Sequence, residues 1–251
     1  SGSLASGSYS SAISISSGST FKYSSSAAQI LSGVISGAGA LTKDTSNTST
    51  LTLTNIANTY TGTTTVSAGT LSISTDRNLG GVPGSTTTNS ITLSGGVLLA
   101  TGAVSLDPKR GITLTADGSL AATSTNTLTI GGIIAGNFGL AINGAGQTGA
   151  VVLNGANTYT GTTTISAGTL KLGNAAALGT TAGGTSISSG AVLDLNGQTI
   201  SNAEALTING TGITSGGALI NSSSTAASYA GLLTLGSDSS IVGGTGTITI
   251  G

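Results

Sequence analysis

The sequence predicts an all-β chain folded as a solenoid, in which short strands wind into a stack of similar rungs. Three observations predict it. Nearly the same sixteen residues occur twice, at 58–73 and 157–172, with 13 of the 16 identical. Apolar residues alternate with Ser and Thr through most of the chain, as on strands with one buried face. Finally, there are 42 glycines among 251 residues, and Ser plus Thr number 83, which departs from the composition of ordinary globular domains.

Each copy of this sixteen-residue motif predicts two strands joined by a corner. The copy opens with an Asn-Thr-Tyr-Thr-Gly turn, continues with the β run Thr-Thr-Thr-Val/Ile-Ser, turns at Ala-Gly and ends in a second β run. Alternation places the apolar side chains of both runs on one strand face. These side chains are Val66, Leu71 and Ile73 in the first copy and Ile165, Leu170 and Leu172 in the second.

The duplication predicts one continuous solenoid over residues 1–251. The copies lie 99 residues apart, and the segments 31–41 and 130–140 keep that separation, so the internal modules span about 30–128 and 129–228. Partial modules are expected at 1–29 and 229–251. After Leu79 and Leu178 the separation falls to 95, which places an insertion in the loop that holds Pro83, where solenoids tolerate it.

Rungs of about 20 residues would give roughly a dozen turns and a rod of about 60 Å at ~4.8 Å per rung. Helix is expected only as single turns, at 76–79 and 174–178. Neither end carries a polar capping helix, so we expect the solenoid to be uncapped at both ends. The parent chain would then continue past these residues, or identical subunits would stack end to end.

Composition also limits the chemistry. Charged residues are few, since Lys plus Arg number 6 and Asp plus Glu number 7, and His, Cys, Met and Trp are absent. Their absence removes the commonest metal ligands and the His of catalytic triads. A net charge of −1 without a basic cluster predicts no binding to nucleic acid or anionic membrane. No apolar run approaches the ~20 residues that cross a bilayer.

With so few charges, stability should depend little on salt or on pH near neutrality.

The motif Gly-Ala-Asn-Thr-Tyr-Thr-Gly-Thr-Thr-Thr-Ile-Ser-Ala-Gly-Thr-Leu at 155–170 resembles the autotransporter-associated β-strand repeat, also described as a passenger-associated repeat. That repeat is known from autotransporter passengers and large surface proteins of Gram-negative bacteria. The resemblance implies a right-handed parallel β-helix outside the cell, secreted across the outer membrane. It implies no particular ligand.

Four sequence features are candidate sites, and each also has a simpler structural interpretation. The Gly-x-Gly-x-x-Gly match at 144–149 is followed by a strand pattern instead of the helix that a dinucleotide site needs. The carboxylates Asp117, Asp194 and Asp238 lack the repeated spacing of calcium-binding β-rolls, which favours turn capping. Glu204 is the only Glu, with no second carboxylate one rung away, so a glycosidase-like pair is not expected.

The fourth candidate is a pair of tyrosines, Tyr60 and Tyr159, at the same position in the two motif copies. Exposed aromatic rings bind sugars, but the two are several rungs apart, which favours a turn Tyr that lies over the strand edge. We therefore predict no catalytic, cofactor-binding or metal-binding residues, no cofactor and no enzyme activity.

The leading functional prediction is a structural one: a stalk, spacer or fibre body of a bacterial surface or autotransporter-like protein. One alternative is an adhesin that contacts glycans, surfaces or neighbouring cells through its outer face and the loops 80–89, 102–111 and 180–185. Another is a filament subunit that stacks end to end. The expected partners are neighbouring repeats of the parent chain or identical subunits, with glycans or surfaces as further partners.

Overall fold

A computed structural model describes residues 2–144 and 146–251, and they form an all-β solenoid of about 11 turns, as predicted. All strand pairs in it are parallel, and the hydrogen bonds between strands run from each turn to the next. None of the helices in the part described is long and apolar enough to span a membrane. The right-handed winding that the resemblance implies stays a prediction.

Face A of the solenoid is a ladder of eleven strands that runs through all the turns. Its strands are Ser8–Tyr9, Gln29–Leu31, Thr50–Leu53, Thr70–Ile73, Val97–Ala100, Gly118–Ala122, Leu140–Ile142, Thr163–Ile165, Thr185–Ile187, Leu206–Gly210 and Leu233–Ser239. At ~4.8 Å between neighbouring strands, eleven strands make a body about 50 Å long.

Faces B and C complete the cross-section. Face B has six strands: Thr20–Tyr23, Ala40–Lys43, Thr64–Val66, Thr87–Leu93, Arg110–Leu114 and Ile134–Gly136. Face C has seven: Val104–Leu106, Thr127–Ile130, Ala150–Leu153, Thr169–Leu172, Val192–Asp194, Leu219–Asn221 and Ile241–Gly243.

Two smaller sheets extend these faces where the ladders of B and C stop. A pair formed by Ile13–Ser14 and Ile35–Ser36 precedes face C along the rod, and Thr199–Ile200, Ala227–Tyr229 and Ile248–Ile250 follow face B. Irregular segments bridge the gaps with single backbone bonds, such as those from the N–H of Thr59 to the carbonyl of Ile35 and from Thr158 to Ile134.

Short 3-10 helices occur at Leu4–Gly7, Asp76–Leu79 and Ile213–Ser215. The single turn predicted at 76–79 is therefore confirmed. The one predicted at 174–178 is a hydrogen-bonded turn, in which the N–H of Ala177 donates to the carbonyl of Asn174.

The core is a column of aliphatic side chains that point inward from all three faces. Six apolar residues of the repeated motif were predicted to share the buried strand face, and all six are buried: Val66, Leu71, Ile73, Ile165, Leu170 and Leu172. Ladder registry stacks like on like, since Leu51 pairs with Leu71 and Leu71 with Leu98. The apolar column and the backbone ladder therefore stabilise the same arrangement.

The two motif copies lie on different faces of the rod. In the first copy the strands Thr64–Val66 and Thr70–Ile73 belong to faces B and A, whereas in the second Thr163–Ile165 and Thr169–Leu172 belong to faces A and C. Counting strands of face A between the copies gives four and one-third turns for one module. Each module is therefore turned by one face relative to the module before it.

Turn length varies because of loops between the strands. Thr50 pairs with Thr70, and Thr70 in turn pairs with Val97, so the second of these two turns is the longer. This long turn holds the Pro83 loop, where the sequence predicted an insertion. The proposed module boundaries at 30–128 and 129–228 stay a prediction.

Candidate functional site

The Asn of the repeated motif ties three successive turns together. The side chain of Asn58 accepts a hydrogen bond from the N–H of Ile35 in the preceding turn (2.8 Å) and donates to the carbonyl of Asn78 in the next (2.8 Å). Asn157 does the same with Ile134 (2.8 Å) and Ala177 (2.6 Å). Both side chains are buried, so these bonds satisfy backbone groups where strands are interrupted.

The Tyr of the motif fills the interior of the rod. Tyr60 and Tyr159 are 1% and 0% exposed, and each hydroxyl contacts the hydroxyl of a Thr four residues on: Thr64 at 2.8 Å and Thr163 at 2.6 Å. Burial raises the pKa of Tyr60 to about 12 and also raises that of Tyr159. The prediction that these rings lie over a strand edge is wrong, because both rings are inside the rod. Neither ring is exposed, so neither can stack on a sugar.

A glycine seven residues after the end of each motif copy allows close packing against this ring. Gly80 and Gly179 have φ angles of +80° and +86°, and a Cβ on either would lie 2.2 or 2.5 Å from the carbonyl oxygen of Tyr60 or Tyr159. No other residue type fits both the conformation and the space. Since the Asn, Tyr and Thr side chains of the motif all bond within the interior, the repeated motif is a structural element.

Module one contains a buried ion pair that the sequence did not suggest. The Nε of Arg110 lies 2.8 Å from Oδ1 of Asp76, and the side chains are 4% and 16% exposed. Nη1 and Nη2 of Arg110 donate to the carbonyls of Leu79 (3.2 Å) and Gly80 (2.7 Å). The sequence Asp-Pro-Lys-Arg at 107–110 is typical of a turn, and the N–H of Arg110 does close one on the carbonyl of Asp107 (2.9 Å). The turn leads into a strand of face B, and the guanidinium of Arg110 is buried there.

A small cavity of about 230 Å³ lies beside Arg110, between the Pro83 loop and the turns before and after it. Its lining includes Thr61, Thr63, Val82 and Ser90 as well as Arg110. The predicted contact loop at 80–89 therefore does border a surface depression, although its last residues already belong to the strand Thr87–Leu93. The segment 102–111 is not the loop that was predicted, because it contains the strand Val104–Leu106.

Module two buries a carboxyl group that forms no ion pair within the part of the chain that the structure describes. Glu204 is 2% exposed, and its Oε1 accepts one hydrogen bond, from the hydroxyl of Thr185 at 2.6 Å. Burial raises the pKa of Glu204 to about 7, against the smaller opposing effect of the Thr185 bond. The hydroxyl of Tyr229, also buried, has no hydrogen-bond partner among the described residues. Glu204 is thus enclosed in the core, away from any substrate at the surface.

An open groove crosses three turns at the corner that leads into face A. It is lined by residues that include Asp117, Asn137, Phe138, Gly161 and Thr162, and its volume is about 480 Å³. We call it the Phe138 groove. Phe138 is 42% exposed, and of the five Tyr and two Phe in the chain no other reaches that exposure. Phe138 occupies the position that Gly39 has in module one, and this difference between the two copies is the sequence signal that could have identified it.

The remaining candidates stay apart from one another. Asp194 is buried, where its Oδ1 accepts from the N–H groups of Asn196 and Ser222 (2.9 Å each), while Asp117 and Asp238 are exposed. Within residues 2–144 and 146–251, no three acidic residues are grouped so as to hold a metal ion. Of the glycine-rich segment 144–149, Ala145 lies outside the described residues, and the segment leads into the strand Ala150–Leu153.

Comparison with known proteins confirms the resemblance of the motif. The family model for the passenger-associated-transport-repeat matches residues 46–73 and 147–172, the two segments that contain the Asn and Tyr elements described above. The chain therefore carries two copies of this repeat.

A curated relative extends the similarity beyond the motif. The chain is 36% identical over 146 residues to a protein named adhesin BmaC autotransporter, from Brucella suis biovar 1 (strain 1330). The match covers 55% of this chain and 4% of the relative, so it spans a small part of that protein. No solved structure matches the chain. Together the repeat and the relative support a surface β-solenoid segment of autotransporter type.

Proposed function

We propose that this chain is a rigid stem segment of a bacterial surface passenger, which holds other parts of the parent protein away from the cell. The observation that carries the proposal is the eleven-strand ladder of face A, which continues through all the turns with an aliphatic column behind it. Bending such a rod would separate ladder bonds on one side and compress the column on the other, and both are costly. The family model and the relative support a location outside the cell.

The stem needs no catalytic group. The best candidate for one, Glu204, is enclosed and bonds to Thr185, and the repeated Asn and Tyr residues bond to the protein's own backbone and Thr hydroxyls. The polar groups of this chain are arranged to hold successive turns together.

Small-angle X-ray scattering and limited proteolysis of the purified chain test the stem. We expect a rod about 50 Å long, from the ~4.8 Å strand spacing. Cleavage should be confined to exposed loops such as 81–86, because proteases need extended backbone that is free of ladder bonds. A globular particle, or rapid digestion throughout the strands, would exclude a stem. Sedimentation over a range of concentrations tests the further proposal that identical subunits stack end to end.

A second function, adhesion, is favoured by two observations. The curated relative is named an adhesin, and the rod carries surface depressions beyond what the ladder requires, among them those at the Pro83 loop and at Phe138. Beads coated with the chain should then bind target cells or glycan-coated surfaces in a saturable way. Beads that bind no better than those coated with an unrelated β-protein would exclude adhesion and leave the stem unaffected.

A further inference from the structure

We propose that the Phe138 groove binds a neutral pyranose unit of a glycan, an inference that rests on the adhesive function proposed above. Its volume of about 480 Å³ lies within the roughly 300–1,000 Å³ typical of small-molecule sites. An exposed aromatic ring and a few polar groups meet in it, the combination that recognises a ligand with one apolar and several hydroxylated faces.

The aromatic platform is Phe138. A pyranose ring presents C–H groups on one face, and these pack against an aromatic ring, whose face carries partial negative charge. Phe138 is held by the turn around it, because a Cβ on Gly161 of the next turn would lie 2.2 Å from the carbonyl carbon of Phe138. The backbones of these two turns therefore touch, and Phe138 has a fixed support.

Polar groups surround this platform on both sides. Oδ1 of Asp117 accepts a hydrogen bond from the N–H of Gly139 (2.7 Å), which orients the carboxylate and leaves Oδ2 for sugar hydroxyls. The exposed residues Asn137 and Thr162 supply an amide and a hydroxyl. Because a carboxylate accepts from hydroxyl groups but repels anions, the site should favour neutral sugars over uronic or sialic acids.

The groove is fixed before any ligand arrives. Three consecutive turns form it, and ladder bonds join them: Gly118 N–H to the carbonyl of Gly139 (3.1 Å) and Leu140 N–H to the carbonyl of Thr162 (2.9 Å). A preformed site loses little conformational entropy on binding. Module one has Gly39 at the position of Phe138, and so lacks the platform.

The test uses the whole chain, biotinylated and multivalently displayed on streptavidin, against an array of neutral and acidic oligosaccharides. Multivalency makes weak single-site binding measurable. We expect saturable signals on neutral glycans, at least tenfold weaker for Phe138→Ala and at least threefold weaker for Asp117→Asn. Ile133→Ala is the matched control, because Ile133 lies in the same turn as Phe138 and is 38% exposed, yet does not line the groove. Circular dichroism verifies that each variant is folded, and Phe138→Leu replaces Phe138→Ala if the latter is not.

Several results would overturn the site. These are the absence of saturable binding to any neutral glycan, a stronger signal on acidic glycans, unchanged binding by Phe138→Ala, or equal losses in Phe138→Ala and Ile133→Ala. If beads coated with the same chain still adhered to cells in those cases, adhesion would stand and only its assignment to this groove would fail. A polypeptide ligand is the outcome indicated if cell adhesion persists after glycans are removed enzymatically from the cells.

Discussion

Arg110 and Glu204 occupy equivalent places in the two modules but carry opposite charges. Each lies two residues before the first buried apolar residue of a strand, Ile112 or Leu206, and each acts on the Tyr of its own motif copy. Arg110 is paired with Asp76, whereas the position 99 residues after Asp76 is Ala175. At this position module one pairs its buried charge with a carboxylate, and module two retains a carboxyl group that burial keeps partly protonated at neutral pH.

This difference shows that the interior of the solenoid can hold a charged side chain paired with an opposite charge, or an acidic side chain without such a partner. A paired charge is independent of pH near neutrality, while an unpaired carboxyl makes stability depend on pH. Substitutions at Asp76, at Glu204, at the two motif asparagines and at Ala175 can break or sharpen this contrast.

The largest effect is expected from Asp76→Asn in module one. It leaves the Arg110 guanidinium buried with only two carbonyl acceptors, and loss of one partner of a buried pair costs about 3–5 kcal/mol. Urea denaturation at pH 7 should show a lower midpoint. Asp238→Asn, which removes an exposed carboxylate, is the control. A loss no larger than that of the control would mean that the pair contributes little.

Glu204→Gln should stabilise the chain above pH 7. The folded pKa of Glu204 is raised from 4.5 to about 7, so between these values the folded state binds more protons and stability falls as pH rises. Full ionisation corresponds to at most about 3 kcal/mol, which the amide, still able to accept from Thr185, avoids. Melting temperatures from pH 5 to pH 9 should slope downward to pH 7 in the wild type. If the variant showed the same slope, the pH dependence of the melting temperature would have to come from a group other than Glu204.

Asn58→Ala and Asn157→Ala should destabilise their modules equally. Each leaves one buried N–H and one buried carbonyl without the partner that bridged the turns, at about 2 kcal/mol. Urea midpoints of the two variants provide the measurement. Unequal losses of stability would show that the two asparagines contribute differently to the free energy of unfolding, although their hydrogen bonds have the same geometry.

The smallest effect is expected from Ala175→Arg, which gives module two a cation at the position of Asp76. An arginine near Glu204 should lower the pKa of that carboxyl and stabilise the chain at pH 8 by about 1 kcal/mol, since position 175 is exposed. The measurement is the melting temperature as a function of pH, which should decrease less steeply in Ala175→Arg than in the wild type. Ala175→Gln, of similar length without charge, should leave the slope unchanged.

The sequence predicted the solenoid because alternation and duplication are properties of the whole chain. It could not predict which way Tyr60 points, since a bend at Gly62 separates that ring from the alternating strand. The expectation that stability depends little on pH near neutrality stays a prediction, and the raised pKa of the buried Glu204 argues against it. The sequence did not reveal this burial, because one polar residue in a turn leaves no periodic signal. Phe138 was missed because alternation does not identify exposed corner residues.

The shift of the motif between faces was also beyond prediction from the repeat length. It depends on the lengths of the individual turns, which differ even between neighbours, as the pairings of Thr70 with Thr50 on one side and Val97 on the other show. One repeat of the sequence therefore need not equal a whole number of turns. Only the ladder registry reveals the extra third of a turn.

That extra third has a geometric consequence for any array built from such modules. Corresponding corners of consecutive modules point about 120° apart. Equivalent grooves on successive modules would therefore follow a helical path around the rod and return to the same side after three modules. Thirteen turns at ~4.8 Å put that recurrence about 60 Å further along. Such a rod would present grooves to surfaces that approach it from any side.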